Sequence, residues 1–295
     1  MATAHRAIPG WAALPANTRG ILWMCGAVVC YASLYVTLRQ VTAGYSALEL
    51  IFLRSAICTL FMTPWLARAG LVVLRTPRFK LHACRMTATY VAGVLWVYGV
   101  AHLPMADVNA LNFTSPLFVV LIAMLLLGDA ATTHRWIVLG IGFAGTLVIL
   151  RPGVEVVSFA ALVTLASSCI FAVSHSITKY MSSTEDPNLN VFYLYGLQSI
   201  LALVPAMLVW RTPGLVDLAW IVAVSLGTLG AQQCIVRSLT ASPASLVMPF
   251  NFLQLPLVAV SGLVFYGEKT SLWTWLGAAV ICTATYDLAR RERRG

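Results

Sequence analysis

Long apolar stretches separated by short polar breaks run through this chain from one end to the other. A helix needs about 20 mostly apolar residues to cross a bilayer, and the pattern predicts ten such spans. The predicted spans are residues 19–39, 47–67, 84–101, 106–127, 136–151, 157–179, 190–210, 217–236, 243–264 and 272–290. Because the breaks between them are short, the pattern predicts an all-α integral membrane protein with little chain left for a soluble domain.

The second half of the chain repeats polar and small residues of the first half. Six residues of the stretch 104–136 have counterparts 139 positions later, five of them identical and one a second acidic residue. The pairs are Pro104 and Pro243, Asn112 and Asn251, Phe113 and Phe252, Gly128 and Gly267, Asp129 and Glu268, and Trp136 and Trp275. An odd number of spans in each copy inverts the second copy relative to the first. Inverted repeats allow secondary transporters to form two alternative openings around one site, so the duplication favours a solute carrier.

A proline and glycine break at residues 151–153 divides five spans from five. The sequence therefore predicts ten transmembrane helices in two inverted five-helix repeats. The predicted organisation is a cytoplasmic N-terminal tail over 1–18, a first repeat over 19–151, a second, inverted repeat over 152–290 and a basic cytoplasmic tail over 291–295.

Composition and charge agree with a membrane protein. The 295 residues are 60% hydrophobic and 10% charged, against about 45–50% and about 25% in soluble domains. With ten spans, fourteen of the 19 Lys and Arg residues fall on the side of the two termini and four on the opposite side. Short cytoplasmic loops collect Lys and Arg, so we predict a multi-pass protein of the bacterial inner membrane with both termini in the cytoplasm.

The basic residues lie beside the spans and do not alternate with aromatic residues on a soluble surface. This arrangement favours contact with anionic lipid headgroups over nucleic acid. The sequence contains no GxxxxGK[ST] phosphate loop, and its seven cysteines have no CxxC spacing. We therefore predict no cofactor and no metal. The lack of HExxH and GxSxG motifs also argues against an enzyme.

Neutral polar residues inside the spans are the first candidates for a substrate site. Asn112 and Asn251 occupy equivalent repeat positions about two turns inside their spans, and Gln254 follows Asn251 on a similar helix face. Pro116 and Pro256 each remove a helical hydrogen bond and expose carbonyl groups. Carriers often place binding sites at such broken helices. The alternative is that the two asparagines only hold helices together.

Aromatic residues and one histidine inside the spans are the second group of candidates. Their rings are able to stack on an aromatic or heterocyclic solute, with core packing as the alternative for each of them. His175 is the only histidine well inside a predicted span, which suits either a proton switch or a structural hydrogen bond. The complete predicted substrate-binding set is Tyr31, Tyr90, Trp96, Tyr98, Asn112, His175, Asn251 and Gln254.

Arg54 is the exception among the charged residues, because it lies about one and a half turns inside the second predicted span. Three roles are open for it. The side chain could extend outward to the membrane surface, brace a helix end by donating to carbonyl groups, or bind a substrate carboxylate. Glu49 lies five residues earlier, which is not the ideal spacing for an ion pair on one helix face.

Two stretches resemble the EamA-like ten-helix carriers of the drug/metabolite transporter superfamily. The first reads LPMADVNALNFTSPLFVVLIAMLLLGDAATTHRW over 103–136, and the second ends in FYGEKTSLWTW at 275. Each has a mid-span proline and then Gly plus an acidic residue seven positions before Trp, with Asp129 in place of the usual Glu in the first copy. The resemblance implies a basket of two inverted halves, with spans five and ten at its periphery. It also implies that spans one, three, four, six, eight and nine line most of a central cavity.

These observations predict a secondary transporter that exports or exchanges small metabolites across the inner membrane by alternating access. Aromatic or large neutral amino acids are the leading substrates, as in the YddG-type exporters of the superfamily. The alternative is another metabolite class, namely a nucleotide precursor, a cofactor or a drug-like compound, and a membrane-embedded enzyme or a channel stays as a further alternative. Expected partners are the solute and membrane lipids. The small residues of spans five and ten predict close helix packing, with an interface between copies as the alternative.

Overall fold

The computed structural model describes residues 14–74, 76–126, 133–150, 158–182, 185–242, 250–251 and 253–291. Within those ranges the regular structure is helical, and no strand occurs. The helices are α1 Ala16–Thr42, α2 Ala47–Ala69, α3 Phe79–His102, α4 Met105–Asn112, α5 Ser115–Leu126, α6 Thr133–Leu150, α7 Phe159–Ser182, α8 Pro187–Leu208, α9 Leu215–Ala241, α10 Gln254–Tyr266 and α11 Leu272–Arg291. A short 3-10 helix, Leu71–Leu74, lies between α2 and α3.

These helices correspond to the ten predicted spans, because α4 and α5 together occupy one of them. By length and composition, five of the described helices are able to cross a membrane, namely Ala16–Thr42, Ala47–Ala69, Phe159–Thr178, Asn188–Leu208 and Leu215–Ser238. Shorter apolar helices cover Trp136–Ile149, Gln254–Tyr266 and Leu272–Ala284. The predicted fold class is therefore confirmed. Residues 128, 129, 243 and 252 of the repeat, and the predicted boundary at 151–153, lie outside the described residues.

Helices of the first half pack on helices of the second half. The most extensive contacts join α1 to α9 and α3 to α7, and further contacts join α2 to α8 and α6 to α11. Helices α1 and α7 open the two repeats, while α3 and α9 are the third spans of each. Exchanging the halves therefore converts the α1 and α9 pair into the α7 and α3 pair. This is the relation that two inverted copies produce.

Glycines permit close approach in both of these symmetry-related pairs. A Cβ atom added to Gly99 on α3 would lie 2.2 Å from Oγ1 of Thr164 on α7. A Cβ atom added to Gly227 on α9 would lie 3.3 Å from the carbonyl oxygen of Cys30 on α1. A side chain at Gly99 would therefore collide with the facing helix, and one at Gly227 would crowd it.

The predicted close packing of spans five and ten is confirmed at Gly145 and Gly277. A Cβ atom added to Gly277 on α11 would lie 2.5 Å from the carbonyl oxygen of Gly145 on α6. The two helix backbones therefore touch at this point. In contrast, Gly140 on the same helix α6 has no atom within 4 Å of its added Cβ position.

An ionic clasp closes the end of the bundle at which α1 finishes, and we call this end the Arg39 end. Gly267 ends α10 with a left-handed φ of 67°, and this turn directs Glu268 back over the bundle. One carboxylate oxygen of Glu268 accepts from the backbone N–H of Met105 at 2.7 Å, and the other lies 3.2 Å from Nη2 of Arg39. Arg39 also donates to the carbonyl of Leu103 at 2.9 Å. The clasp thus joins α1, α4 and α10, and it gives the acidic residue of the repeat a structural role.

A second polar group lies at the opposite end, which we call the His82 end. The imidazole Nε2 of His82 lies 2.6 Å from Glu185, whose other oxygen accepts from Thr76 at 2.5 Å. Arg85 donates to the side-chain oxygen of Asn190 at 3.2 Å. These contacts join α3 to the start of α8. Both ends of the bundle are therefore held by polar contacts, and the apolar helix faces lie between them.

Candidate substrate-binding site

A buried network of amide, aromatic and hydroxyl side chains lies between α1, α3, α4, α7 and α10. We call it the central cluster, and its members are Tyr35, Trp96, Asn109, Asn112, Ser168 and Gln254. The Tyr35 hydroxyl accepts from Nδ2 of Asn112 at 3.2 Å and from Nε1 of Trp96 at 3.4 Å. It donates to Oδ1 of Asn109 at 3.4 Å. Tyr35 is only 2% exposed, so its hydroxyl joins three side chains in the interior of the protein.

Both repeats contribute to the central cluster. Nε2 of Gln254, on α10, donates to Oδ1 of Asn109 at 2.9 Å. The hydroxyl of Ser168, on α7, donates to Oδ1 of Asn112 at 3.1 Å. Burial of unpaired amides is costly, and these bonds provide partners for most polar side-chain atoms of the cluster. The exception is Nδ2 of Asn109, a buried donor without a partner in the described structure.

A break in the fourth span positions the two asparagines. Helix α4 ends at Asn112 and α5 begins at Ser115, with Pro116 in its first turn. Proline has no N–H group to continue the helical ladder. Next to this break, the carbonyl of Leu111 accepts from the backbone N–H of Thr114 at 3.1 Å, and the hydroxyl of Ser168 lies 3.1 Å from the same carbonyl. The break therefore places backbone acceptors beside the side chains of the central cluster. In the second repeat, one residue beyond the equivalent position, Pro256 lies in the first turn of α10.

Aromatic rings form one wall of the central cluster. The rings of Tyr35 and Trp96 pack edge to face, with centroids 5.3 Å apart. Tyr31 lies one turn earlier on α1 and packs against the same apolar core, which includes Tyr90. The hydroxyl of Tyr90 is buried and has no hydrogen-bond partner among the described residues. The wall therefore offers ring faces together with an unused phenol donor.

His175 lies on α7 next to this region. Its Nδ1 is 3.4 Å from the hydroxyl of Ser115 on α5, and its ring stacks on Phe171 with centroids 6.1 Å apart. The side chain is nevertheless exposed. Phe171 in turn packs against the core that contains Tyr35 and Trp96. The free surface of His175 therefore borders the gap between α5 and α7.

Arg54 is buried in the interior, with an exposed fraction of 8%. This burial excludes a side chain that extends to the membrane surface. Its guanidinium makes no hydrogen bond to a carbonyl group of any described residue, and its Nε is buried without a partner. The structure thus removes two of the three roles that the sequence left open.

The structure brings six of the eight predicted site residues together and leaves two outside this group. Trp96, Asn112 and Gln254 belong to the central cluster, and Tyr31, Tyr90 and His175 lie around it. Asn251 is partly buried, and its Oδ1 has no partner within the described ranges. Tyr98 stands apart, because its ring stacks on His102 at 4.1 Å and packs edge to face on Phe159 at 6.1 Å.

The prediction missed three members of the cluster. Tyr35 follows Tyr31 by four residues and Asn109 precedes Asn112 by three, so helical spacing placed each beside a chosen residue. Ser168 gave no comparable signal, because serines occur throughout α7.

An apolar groove of about 410 Å³ lies between α1 and α10, apart from the polar cluster. It is lined by Cys25, Val28, Val29, Leu253, Pro256, Leu257 and Val260. This lining supplies no strong hydrogen-bonding side chain. Among the described residues, no group of three or more His, Cys, Asp or Glu side chains is placed to hold a metal ion.

The fold and the cluster together define a membrane transport protein built from two related halves, with polar groups from both halves meeting in its interior. The EamA-like transporter family matches residues 18–151 and 158–288, and the chain belongs to this family. It is 31% identical over 278 residues to the riboflavin transporter of Rhizobium johnstonii, covering 93% of this chain and 92% of that protein. It is 24% identical over 284 residues to the S-adenosylmethionine uptake transporter of Rickettsia prowazekii, covering 96% of each. A solved crystal structure matches with a TM-score of 0.63 at 16% identity, covering 93% of this chain and 98% of that one, which supports the fold.

Proposed function

We propose that the chain is a secondary carrier for a planar heterocyclic metabolite of the flavin type. Membership of a transporter family and the riboflavin transporter among its relatives support this substrate class. The observation that carries the proposal in the structure is the central cluster, in which amide groups lie beside aromatic rings. The expected alternative of a cofactor-like substrate thus has better support than the amino acids that led the sequence-based prediction.

The chemistry of the cluster suits a flavin ring. The pyrimidine edge of an isoalloxazine ring presents carbonyl acceptors and an N–H donor. Asn109, Asn112 and Gln254 offer amide groups of both kinds, and the free Nδ2 of Asn109 is a donor without a partner in the described structure. The flat ring system is also able to stack on the Tyr35 and Trp96 wall, as aromatic groups do.

Amino acids fit this cluster less well. An amino acid carries an ammonium group, which needs a carboxylate or several oxygen acceptors when it leaves water. The six residues of the central cluster include no carboxylate. Aromatic amino acids therefore remain a competing substrate class that the same experiments test.

We further propose that transport follows alternating access across the bacterial inner membrane, with both termini in the cytoplasm. The Arg39 end then faces outward and the His82 end faces the cytoplasm. In this orientation the clasp of Arg39 and Glu268 is part of the outer closure. Release of the clasp would open a route from outside to the central cluster.

Uptake into proteoliposomes tests the proposed substrate. The purified chain is reconstituted, and saturable entry of labelled riboflavin is measured with unlabelled riboflavin, S-adenosylmethionine and tryptophan as competitors. We expect riboflavin to compete and tryptophan to fail. No riboflavin flux, together with saturable entry of labelled tryptophan into the same vesicles, would favour the amino-acid alternative. Chemical conversion of the recovered solute would favour an enzyme, and single-channel currents would favour a channel.

A further inference from the structure

Arg54 is a buried cation that nothing in the described structure neutralises. It is 8% exposed on α2, and no ion pair or hydrogen bond joins it to any described residue. Its charge acts on Tyr31 of α1 and on Tyr195 of α8. Neutral phenols do not balance a positive charge. A guanidinium without an anion is costly at this depth of a membrane protein.

The nearest acidic residue along the chain does not serve as the missing partner. Glu49 lies five residues before Arg54 and is fully buried. One of its oxygens accepts from the backbone N–H of Arg211 at 3.2 Å, and its electrostatic partner is also Arg211. Glu49 therefore interacts with the loop before α9, and Arg54 stays without a counter-charge.

Arg54 and Gln198 both approach α3 beside Gly93. A Cβ atom added to Gly93 would lie 3.4 Å from Cδ1 of Ile51, 3.9 Å from Nη2 of Arg54 and 4.0 Å from Nε2 of Gln198 on α8. That nitrogen of Gln198 is buried without a partner in the described ranges, while Oε1 accepts from Ser55 at 3.0 Å. Two N–H donors from different helices thus approach one point beside α3.

Exchanging the oxygen and nitrogen of the Gln198 amide would also leave Arg54 without a counter-charge. The Ser55 hydroxyl also lies 2.7 Å from the carbonyl of Ile51, and a single hydroxyl hydrogen serves one of the two acceptors. If Gln198 were turned, its oxygen would face Arg54. A neutral oxygen satisfies at most part of a guanidinium with five N–H donors and leaves its charge in place.

We propose that Arg54, with Gln198 beside it, forms an anion subsite next to the central cluster. The two regions meet along α3, because Gly93, which lies beside Arg54, precedes Trp96 of the central cluster by three residues. The ligand chemistry is a carboxylate or phosphate oxygen, which guanidinium groups bind with charge-assisted hydrogen bonds. This proposal rests on the proposed function, a carrier for a planar heterocyclic solute. The anion is either an acidic group of that solute or a small free anion that binds together with a neutral solute.

Flavin binding to the purified full-length chain distinguishes these two sources. Quenching of flavin fluorescence gives the affinity for neutral riboflavin and for its monophosphate, with and without added phosphate or chloride. If the solute supplies the anion, the monophosphate binds about tenfold tighter than riboflavin, and Arg54→Gln removes this preference. If a free anion supplies it, added phosphate or chloride raises riboflavin affinity about tenfold in the wild type and leaves the Arg54→Gln variant unchanged.

Two further variants separate the effect of the Arg54 charge from a general loss of folding. Arg68→Gln makes the same substitution at the exposed end of α2 and should leave the anion effects intact. Arg54→Lys keeps the charge and should retain most of the preference. Equal affinities for both flavins, with no effect of added anions on the wild type, would overturn the proposal whether or not Arg54→Gln folds.

A separate readout applies if the wild type binds neither flavin, which would contradict the proposed function. The apparent melting temperature is then followed while phosphate, acetate or chloride is titrated into wild type, Arg54→Lys and Arg54→Gln. A saturable rise in the apparent melting temperature of the wild type and of Arg54→Lys, with no such rise in Arg54→Gln, supports the anion subsite independently of the substrate. No saturable rise in the wild type, or the same rise in all three proteins, overturns the subsite.

Discussion

Replacing Gln254 with leucine removes the shortest side-chain hydrogen bond of the central cluster, the 2.9 Å bond to Oδ1 of Asn109. Leucine has a similar volume, so the change mainly deletes polar groups. Gln254 is 6% exposed and Asn109 is 1% exposed, so water does not readily replace the lost donor. A buried group that loses its partner costs about 1–3 kcal/mol. Asn109 would keep only the 3.4 Å contact with Tyr35.

The same change should weaken flavin binding, because Asn109 loses the bond that orients its amide. A loss of about 1–3 kcal/mol corresponds to an increase in Kd of about 5- to 150-fold. We expect Gln254→Leu to show this increase in riboflavin titrations and a lower apparent melting temperature. Both measurements use the purified chain, and size-exclusion chromatography verifies that it is folded.

Gln233→Leu is the matched control. Gln233 forms a comparable amide pair, 3.2 Å from Oδ1 of Asn188, but this pair joins α9 to α8 outside the cluster. The control should lower stability and leave the Kd within about twofold of wild type. Wild-type affinity in folded Gln254→Leu protein would refute the assignment of the central cluster as the binding site.

Other changes test the packing and the clasp. Glu268→Ala leaves the N–H of Met105 without its acceptor and should destabilise the chain by about 1–3 kcal/mol; an unchanged apparent melting temperature would contradict the clasp. Gly277→Ala places a methyl group against the backbone of α6 and should cost about 1–3 kcal/mol. Gly140→Ala meets open space and should stabilise by about 0.5–1 kcal/mol. Equal effects of the two glycine changes in thermal unfolding would contradict the close approach of α6 and α11.

The sequence predicted the helices well because a bilayer fixes their length. The first predicted span, 19–39, lies inside α1, and the third begins five residues after α3 does, since polar residues open that helix. The 139-residue offset also predicted two related halves, and the symmetric contacts of α1 with α9 and of α3 with α7 agree with them. Pro116 indicated the break between α4 and α5, because proline cannot continue the helical ladder.

The interior faces of the helices were harder to predict. Lipid and protein interior are both apolar, so hydropathy does not tell which face of a membrane helix is buried. Ser168 was missed because serines occur throughout α7, and Asn109 was missed although it lies three residues before Asn112. Tyr98 was chosen although it packs on His102 and Phe159. The role proposed for Arg54 likewise depends on side chains of other helices, which the sequence alone does not place beside it. The expected amino-acid substrate followed from the aromatic and uncharged amide residues inside the spans and from the resemblance to YddG-type exporters, whereas the relatives carry riboflavin and S-adenosylmethionine.

Counterflow in proteoliposomes tests the central claim most directly, because it requires a substrate and an alternating-access carrier together. Vesicles containing the purified chain are loaded with unlabelled riboflavin and diluted into a trace of labelled riboflavin. The account predicts a transient accumulation of label inside, above its equilibrium level, that is absent from protein-free vesicles. Label that never exceeds equilibrium, with folded protein present in the vesicles, would contradict a flavin carrier that works by alternating access.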